Sequence, residues 1–309
     1  MSISPVIEVD KLSITYGDFT AVRDLSFHVQ HGELYALLGT NGAGKTSTLE
    51  VVEGHRQATA GSVRIFGEPP TNRRAVRPRM GIMLQESGFS PDLTVRESVG
   101  LLGTLSGRHD DVERVLAISG LTHKAGTQVA QLSGGEKRRL DFATTVYGGP
   151  ELVILDEPTT GLDIQSRDAL WAAVDRLREE GSTIVLTTHY LEEAQQRADR
   201  IGVMHQGTLR KEGTLVELTR SLPSVISFIL PAGAPEPPLS LAHADGTVRV
   251  ETFGLQEDLY RLLDWAHDAG VELQELQAGA TRLDDVFRAV SSETTTPTLE
   301  RPQHVGDRA

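Results

Sequence analysis

Residues 39–47 read GTNGAGKTS, and they follow the apolar run ELYALL. The stretch matches G-x-x-x-x-G-K-[ST], a spacing suited to holding phosphate. Gly39, Gly42 and Gly44 allow backbone dihedrals that turn successive N–H groups inward. The residues between them, Thr40, Asn41 and Ala43, complete the loop, and Ser47 follows it. Lys45 adds a point charge for the β- and γ-phosphate oxygens, and Thr46 offers a hydroxyl to Mg²⁺. A helix starting near Gly44 would present its positive dipole end to the same anion. Farther along, LVILDEP places Asp156 and Glu157 after four apolar residues. In open α/β sheets, ligands bind beyond the carboxyl ends of the strands, so this pair should arrive beside the loop. Asp156 suits a water-mediated hold on Mg²⁺, and Glu157 suits a general base for attacking water.

Two other apolar runs end in polar residues, MGIMLQ at Gln85 and STIVLTTH at His189. Glutamine can coordinate Mg²⁺ and orient water, and histidine can hydrogen-bond a γ-phosphate. Taken alone, each reads equally as an ordinary strand end. Their weight comes from sharing a rim with Lys45, Asp156 and Glu157. A second small-residue stretch, LSGGEKRRL at 132–140, has two readings. Ser133 and Glu136 stand three apart, the spacing of a capping box, with Gly134 and Gly135 as turn residues. The same residues could also offer another anion-binding helix start.

These groups need elements to position them. ELYALLG, MGIMLQ, ELVILDE and STIVLTTH are continuous apolar runs, the pattern of strands buried on both faces. Helical stretches between them predict a parallel sheet with crossovers. From Val6 to Phe66 the pattern is mostly alternating, as in half-buried strands. Residues 89–131 carry helical segments with no buried strand, which predicts a helical insertion. Beyond residue 220, LPAGAPEPPLSLAHADG at 230–246 reads as a loop. Around it lie strands SVISFIL, TVRVETF and VELQEL. Leu255, Leu259, Leu262 and Leu263 predict the buried face of one helix, and Leu283, Val286, Phe287 and Val290 that of another. This is a small α+β appendage, followed from Glu293 by a polar tail expected to be disordered.

Composition narrows the class. The 309 residues are 39% hydrophobic and 24% charged, as in a globular protein. A net charge of −13 argues against a nucleic-acid binder, which needs a basic face. With no cysteine there is no disulfide framework and no thiolate metal site, and a reducing, cytosolic setting is expected. The first residues lack the basic and apolar regions of a signal peptide. No run of 18 apolar residues is present, so a membrane would be met from the side or through another chain.

Together these motifs resemble the ATP-binding subunit of ABC transporters over about residues 6–220. They occur in the family's order: an aromatic A-loop residue at Tyr16, the phosphate loop at 39–47, Gln85, the signature LSGGE at 132–136, the Asp156–Glu157 strand end, the D-loop GLD with Asp163, and His189. The resemblance implies a P-loop NTPase core with an antiparallel β subdomain and a helical insertion, plus a small C-terminal α+β domain. It implies domains at 1–220 (helical part about 89–135) and 221–292, with the tail at 293–309. It also implies ATP and Mg²⁺ as cofactors, with Thr46, Gln85 and Asp156 near the metal and Glu157, His189 and Gln85 in hydrolysis. Tyr16 would stack on adenine. In the family two subunits pair head to tail, so Ser133, Gly134, Gly135 and Asp163 would serve the partner's nucleotide. Thr40, Ser47, Glu136 and Ile164 depart from the commonest residues, and none removes a phosphate or metal ligand.

The terminal RLDDVFRAVS is similar to the LEDVF helix of drug-export ATPases of the daunorubicin-resistance type. That likeness implies a homodimer on the cytoplasmic face of the membrane, beneath a separately encoded permease subunit. The cargo would be drug-, antibiotic- or lipid-like. The alternatives are an importer subunit, or a soluble ABC ATPase acting on ribosomes or DNA.

Overall fold

The computed structural model describes residues 4–83, 88–220, 222–231, 233–240, 242–244 and 247–292. The expected disordered tail and Gln85 lie outside the described residues. In chain order the first elements are β1 (Ile7–Tyr16), β2 (Phe19–Val29), β3 (Leu34–Gly39), α1 (Lys45–Val52), β4 (Ala60–Ile65), α2 (Arg73–Val76) and β5 (Met80–Met83). Then come α3 (Val95–Leu105), α4 (Val112–Ile118), α5 (Gly134–Val146), β6 (Leu152–Asp156), α6 (Ile164–Glu179), β7 (Thr183–Thr188) and α7 (Leu191–Arg197). The strands β8 (Arg200–His205) and β9 (Thr208–Gly213) and the helix α8 (Leu215–Thr219) follow.

The apolar runs form one six-stranded sheet ordered β5-β6-β7-β3-β8-β9. Five strands are parallel, and β9 closes the edge antiparallel to β8. Every residue of β3, β6 and β7 is buried, which is why these segments carry no alternation. The alternating N-terminal segments form a separate antiparallel sheet, β2-β1-β4. Its inward residues, among them Ile7, Leu12, Leu25 and Ile65, join a core with Tyr35, Leu37 and Ile154. The region after residue 88 is helical, as its pattern implied. Thr94 and Glu97 make a full capping box on α3, and the Asp111 side chain caps α4.

The chain divides into two compact units at Leu215/Val216. The second contains β10 (Ser224–Ile229), β11 (Ala242–Ala244), β12 (Thr247–Thr252), α9 (Leu255–Asp268), β13 (Gln274–Gly279) and α10 (Leu283–Ser292). Its four-stranded antiparallel sheet is ordered β11-β12-β10-β13. Three expectations are corrected here. The proline-rich segment is not loop throughout: its end forms β11, because Ala242–Ala244 find partners on β12. The last strand lies at Gln274–Gly279 rather than 271–276, in register with β10. Leu263 is 46% exposed, whereas Leu262 and Ala266 are buried. The buried stripe of α9 runs through Leu255, Leu259, Leu262 and Ala266, and Leu263 stands beyond its edge.

Candidate functional site

The loop after β3 and the first turns of α1 line a cavity of about 710 Å³. Asn41, Gly42, Ala43, Gly44, Lys45, Thr46 and Ser47 come from that loop and helix, Tyr16 from the end of β1, and Glu157 and His189 from the ends of β6 and β7. Sheet order produces the convergence. β3 pairs with β7, β7 pairs with β6, and all three point the same way. Their carboxyl ends therefore share one edge.

Gly42 and Gly44 have φ of 80° and 99°, the left-handed region that favours glycine. Gly39 is different, and this corrects the expectation for it. It lies in β3 without a positive φ, and its constraint is crowding: a Cβ there would sit 2.8 Å from both the Ala43 Cβ and the Met204 carbonyl oxygen. Gly44 is the N-cap of α1 and supplies no side-chain cap, so the first amides of the helix receive no help from it. Lys45 is buried, and its Nζ donates to the carbonyls of Gly39 at 2.8 Å and Thr40 at 3.4 Å. Burial pulls its pKa down, while the Glu157 and Asp156 carboxylates push it up. The result is an ammonium held inside the loop it would use to grip phosphate.

Asp156 is buried and accepts a short hydrogen bond from the Thr187 hydroxyl on the neighbouring strand. Burial raises its pKa, opposed first by that hydrogen bond. Glu157 takes φ of 45°, an uncommon conformation for a side-chain-bearing residue. Its amide donates to the Thr187 carbonyl at 3.0 Å. Its Oε2 accepts from the Thr160 hydroxyl at 3.3 Å and lies 3.4 Å from His189 Nδ1. Among the described residues, no group of three or more His, Asp or Glu side chains could hold a metal unaided. The donors present, the Thr46 hydroxyl and one or two carboxylates, would suit Mg²⁺ arriving with phosphates and water.

Tyr16 is 38% exposed at the mouth of the cavity. Its hydroxyl is 3.0 Å from Ser47 Oγ and donates to Glu50 at 3.2 Å, and the Arg56 guanidinium lies 4.2 Å over its ring. One ring face is therefore already stacked. Phe19, the cross-strand partner of Tyr16, also lines the cavity and is 65% exposed. Sequence reading missed it, although an aromatic at each end of a two-residue hairpin is a usable signal.

Ser133, Gly134, Gly135 and Asp163 do not line this cavity. They form a second cluster at the starts of α5 and α6. Ser133 accepts from the Glu136 amide at 3.2 Å and Glu136 accepts from the Ser133 amide at 2.9 Å, a complete capping box. The Ser133 amide is also the first cause that holds the Glu136 carboxyl below its usual pKa. Asp163 caps α6 through the Ser166 amide at 2.7 Å. A Cβ on Gly135 would sit 2.3 Å from Ser166 Oγ, so the two helix starts touch.

Residues 22–160 match the family profile described as ABC transporter, and residues 224–281 match one described as the C-terminal domain of ABC transporter domain-containing-like proteins. The chain is 43% identical over 213 residues to a Nod factor export ATP-binding protein I of Paraburkholderia xenovorans (strain LB400), spanning 67% of this chain and 70% of that protein. A protein of the same description from Burkholderia lata is 42% identical over 217 residues, covering 68% and 71% of the two chains. This chain belongs to the ABC transporter ATP-binding family. A solved ATP-binding subunit of an ABC transporter superposes with a TM-score of 0.64 at 27% identity, over 70% of this chain and 92% of that one. As a family member the protein is an ATPase that drives transport.

Proposed function

We propose that this chain is the energising subunit of an ABC exporter, hydrolysing ATP as a head-to-tail homodimer beneath a separate membrane-embedded partner. The observation that carries the reading is the single cavity joining the phosphate loop to Glu157 and His189. Lys45 and the amides at the start of α1 hold the β- and γ-phosphates. Thr46 and Asp156, with Gln85, would hold Mg²⁺. The ion, when bound, neutralises charge that develops between the β- and γ-oxygens. Glu157 takes a proton from the attacking water as its oxygen bonds to the γ-phosphorus and the β–γ bridging bond breaks. His189, beside Glu157, hydrogen-bonds the γ-phosphate. Tyr16 stacks its free face on adenine, with Arg56 on the other.

Ser133, Gly134, Gly135 and Asp163 serve the partner's nucleotide. Their place outside the chain's own cavity supports this, as does Ile164, which is 76% exposed beside Asp163. Export is the direction in the relatives' names. We extend it to a drug-, antibiotic- or lipid-like cargo of the daunorubicin-resistance type, guided by the α10 sequence. Among the described residues no helix is long and apolar enough to cross a membrane, so the partner supplies the path and the chain sits on its cytoplasmic face. The net charge of −13 disfavours a nucleic-acid partner.

Glu157→Gln tests the chemistry. Turnover should fall by about 10²- to 10⁴-fold, the usual share of a general base, while ATP stays bound and traps a dimer. Phosphate release at the wild-type rate would remove Glu157 from the role. Purification of the tagged chain from solubilised membranes tests the assembly: a stoichiometric polytopic protein should accompany it. Ribosomal or DNA partners in its place would overturn the export reading.

A further inference from the structure

LSGGEKRRL contains three consecutive basic residues, and the fold treats them differently. Lys137 is exposed, Arg139 is half-buried, and Arg138 is buried at 9% exposure. The Arg138 guanidinium faces the end of β6. Nε donates to the Pro158 carbonyl at 2.9 Å, and Nη2 donates to the carbonyls of Glu157 at 3.0 Å and Asp156 at 3.1 Å. One side chain thus binds three consecutive carbonyls. They belong to the turn in which Glu157 takes φ of 45°. A side-chain-bearing residue keeps such a conformation only where its surroundings hold it. Strand pairing holds one side of the turn, through the Glu157 amide on the Thr187 carbonyl. Arg138 holds the other.

The geometry points to Arg138 as a positioning residue for hydrolysis: it fixes the Asp156–Pro158 turn, and with it the Glu157 carboxylate, from the helix whose start carries Ser133. The inference rests on Glu157 being the general base. A planar guanidinium with several donors can span three carbonyls, and a lysine ammonium cannot do so in the same geometry. Burial lowers the Arg138 pKa, and its charge is opposed first by Asp141, 3.7 Å away on its own helix, and then by the Asp156 and Glu157 carboxylates. The tie has a consequence for the dimer. The first residues of α5 face the partner's nucleotide, and its next turn holds the chain's own Glu157. Nucleotide docking at one composite site is therefore linked, through one helix, to placement of the base in the other.

The test compares Arg138→Met and Arg138→Lys in the full chain by steady-state ATPase kinetics and amide hydrogen exchange. Arg138→Met should lower kcat about 100-fold with KM unchanged within about twofold, the pattern of a group acting only on the chemical step. Arg138→Lys should fold normally and recover part of that loss. In both variants, without nucleotide, the amides of Thr160 and Leu162, whose acceptors are the Glu157 and Thr159 carbonyls, should exchange faster, and so should that of Glu157, which lies in the turn itself although its acceptor is on β7. Added to Glu157→Gln, Arg138→Met should cause no further loss of turnover. Wild-type exchange at those amides overturns the inference, as does a kcat within twofold of wild type. A KM that rises in step with the fall in kcat also overturns it. If the wild-type chain itself hydrolyses no ATP, Glu157 as base has failed, and the exchange rates alone still decide whether Arg138 holds the turn.

Discussion

The chain has two glycine-bearing helix starts, and they are built in opposite ways. At α1 the N-cap is Gly44, with no side-chain cap, and the first residues line the cavity with the Lys45 ammonium buried among them. At α5 the N-cap is Ser133, the capping box is complete, Gly134 stands where α1 has Lys45, and Glu136 puts a carboxylate in the first turn, where α1 has none. Both offer helix-dipole ends to an anion. Only the first shares a cavity with Glu157, Lys45 and an aromatic wall. The second is finished as a helix and unfinished as a site, the contrast on which the proposed role of Ser133 toward another copy's nucleotide rests.

The largest effect that could break this contrast is at Lys45. Lys45→Ala should reduce turnover by about 10²- to 10³-fold, the usual cost of removing a positioned charge from a reacting phosphoryl group. On the proposed head-to-tail dimer, Ser133→Ala should also lower turnover, by acting on the other subunit's site. Mixed with Lys45→Ala subunits, it should restore one composite site and measurable phosphate release. A mixture no more active than either parent would mean the two starts do not share a nucleotide.

Alanine at two glycines gives a sharper separation. A Cβ on Gly44, at φ 99°, would meet the Ala21 carbonyl at 2.7 Å, so Gly44→Ala should lower the melting temperature as well as activity. A Cβ on Gly134 meets nothing within 4 Å, and alanine favours a helix over glycine by about 1 kcal/mol. Gly134→Ala should therefore melt no lower than wild type yet lose about tenfold in turnover, the size of one weakened donor contact. Full activity in that variant would free the α5 start from any role in binding.

The smallest effect lies at the far end of α1. Its C-cap, Glu53, is 3% exposed. Burial first, then the Asp156 charge, raises its pKa from 4.5 to about 7 against the pull of Arg77. Between those values the folded chain holds a proton that the unfolded chain has released. Stability contributed by the protonated group is thus present at low pH and falls as pH rises through that window. Glu53→Gln, neutral throughout, should melt above wild type near about pH 8, with the gap closing near about pH 5. Calorimetry at the two values reads it. No comparable acid ends α5, whose C-cap is Tyr147.

Much of the site was legible because its signals are local. Gly42, Gly44 and Lys45 act through their own backbone and their immediate neighbours, and the Ser133–Glu136 box through a three-residue spacing. Buried strands could be read from unbroken apolar runs. The misses share a cause. Leu263 and Leu262 are adjacent leucines, and only packing chose which is buried. Ala242–Ala244 has little strand character until β12 is beside it. Arg138 is one of three basic residues in a row, and its burial depends on where α5 crosses the end of β6.

The sequence alone determined that a phosphate-binding loop, two acids at a strand end and a capped helix start belong to one chain, because each follows from local dihedrals and spacing. Tertiary structure alone decided that Asp156 stands opposite Thr187, that Gly39 has no room for a side chain, and that Arg138 reaches three carbonyls of the Asp156–Pro158 turn. Each of those joins segments distant in the chain. Their meeting is set by strand order and by how tightly a close-packed interior fits, and neither is written in any short stretch of residues.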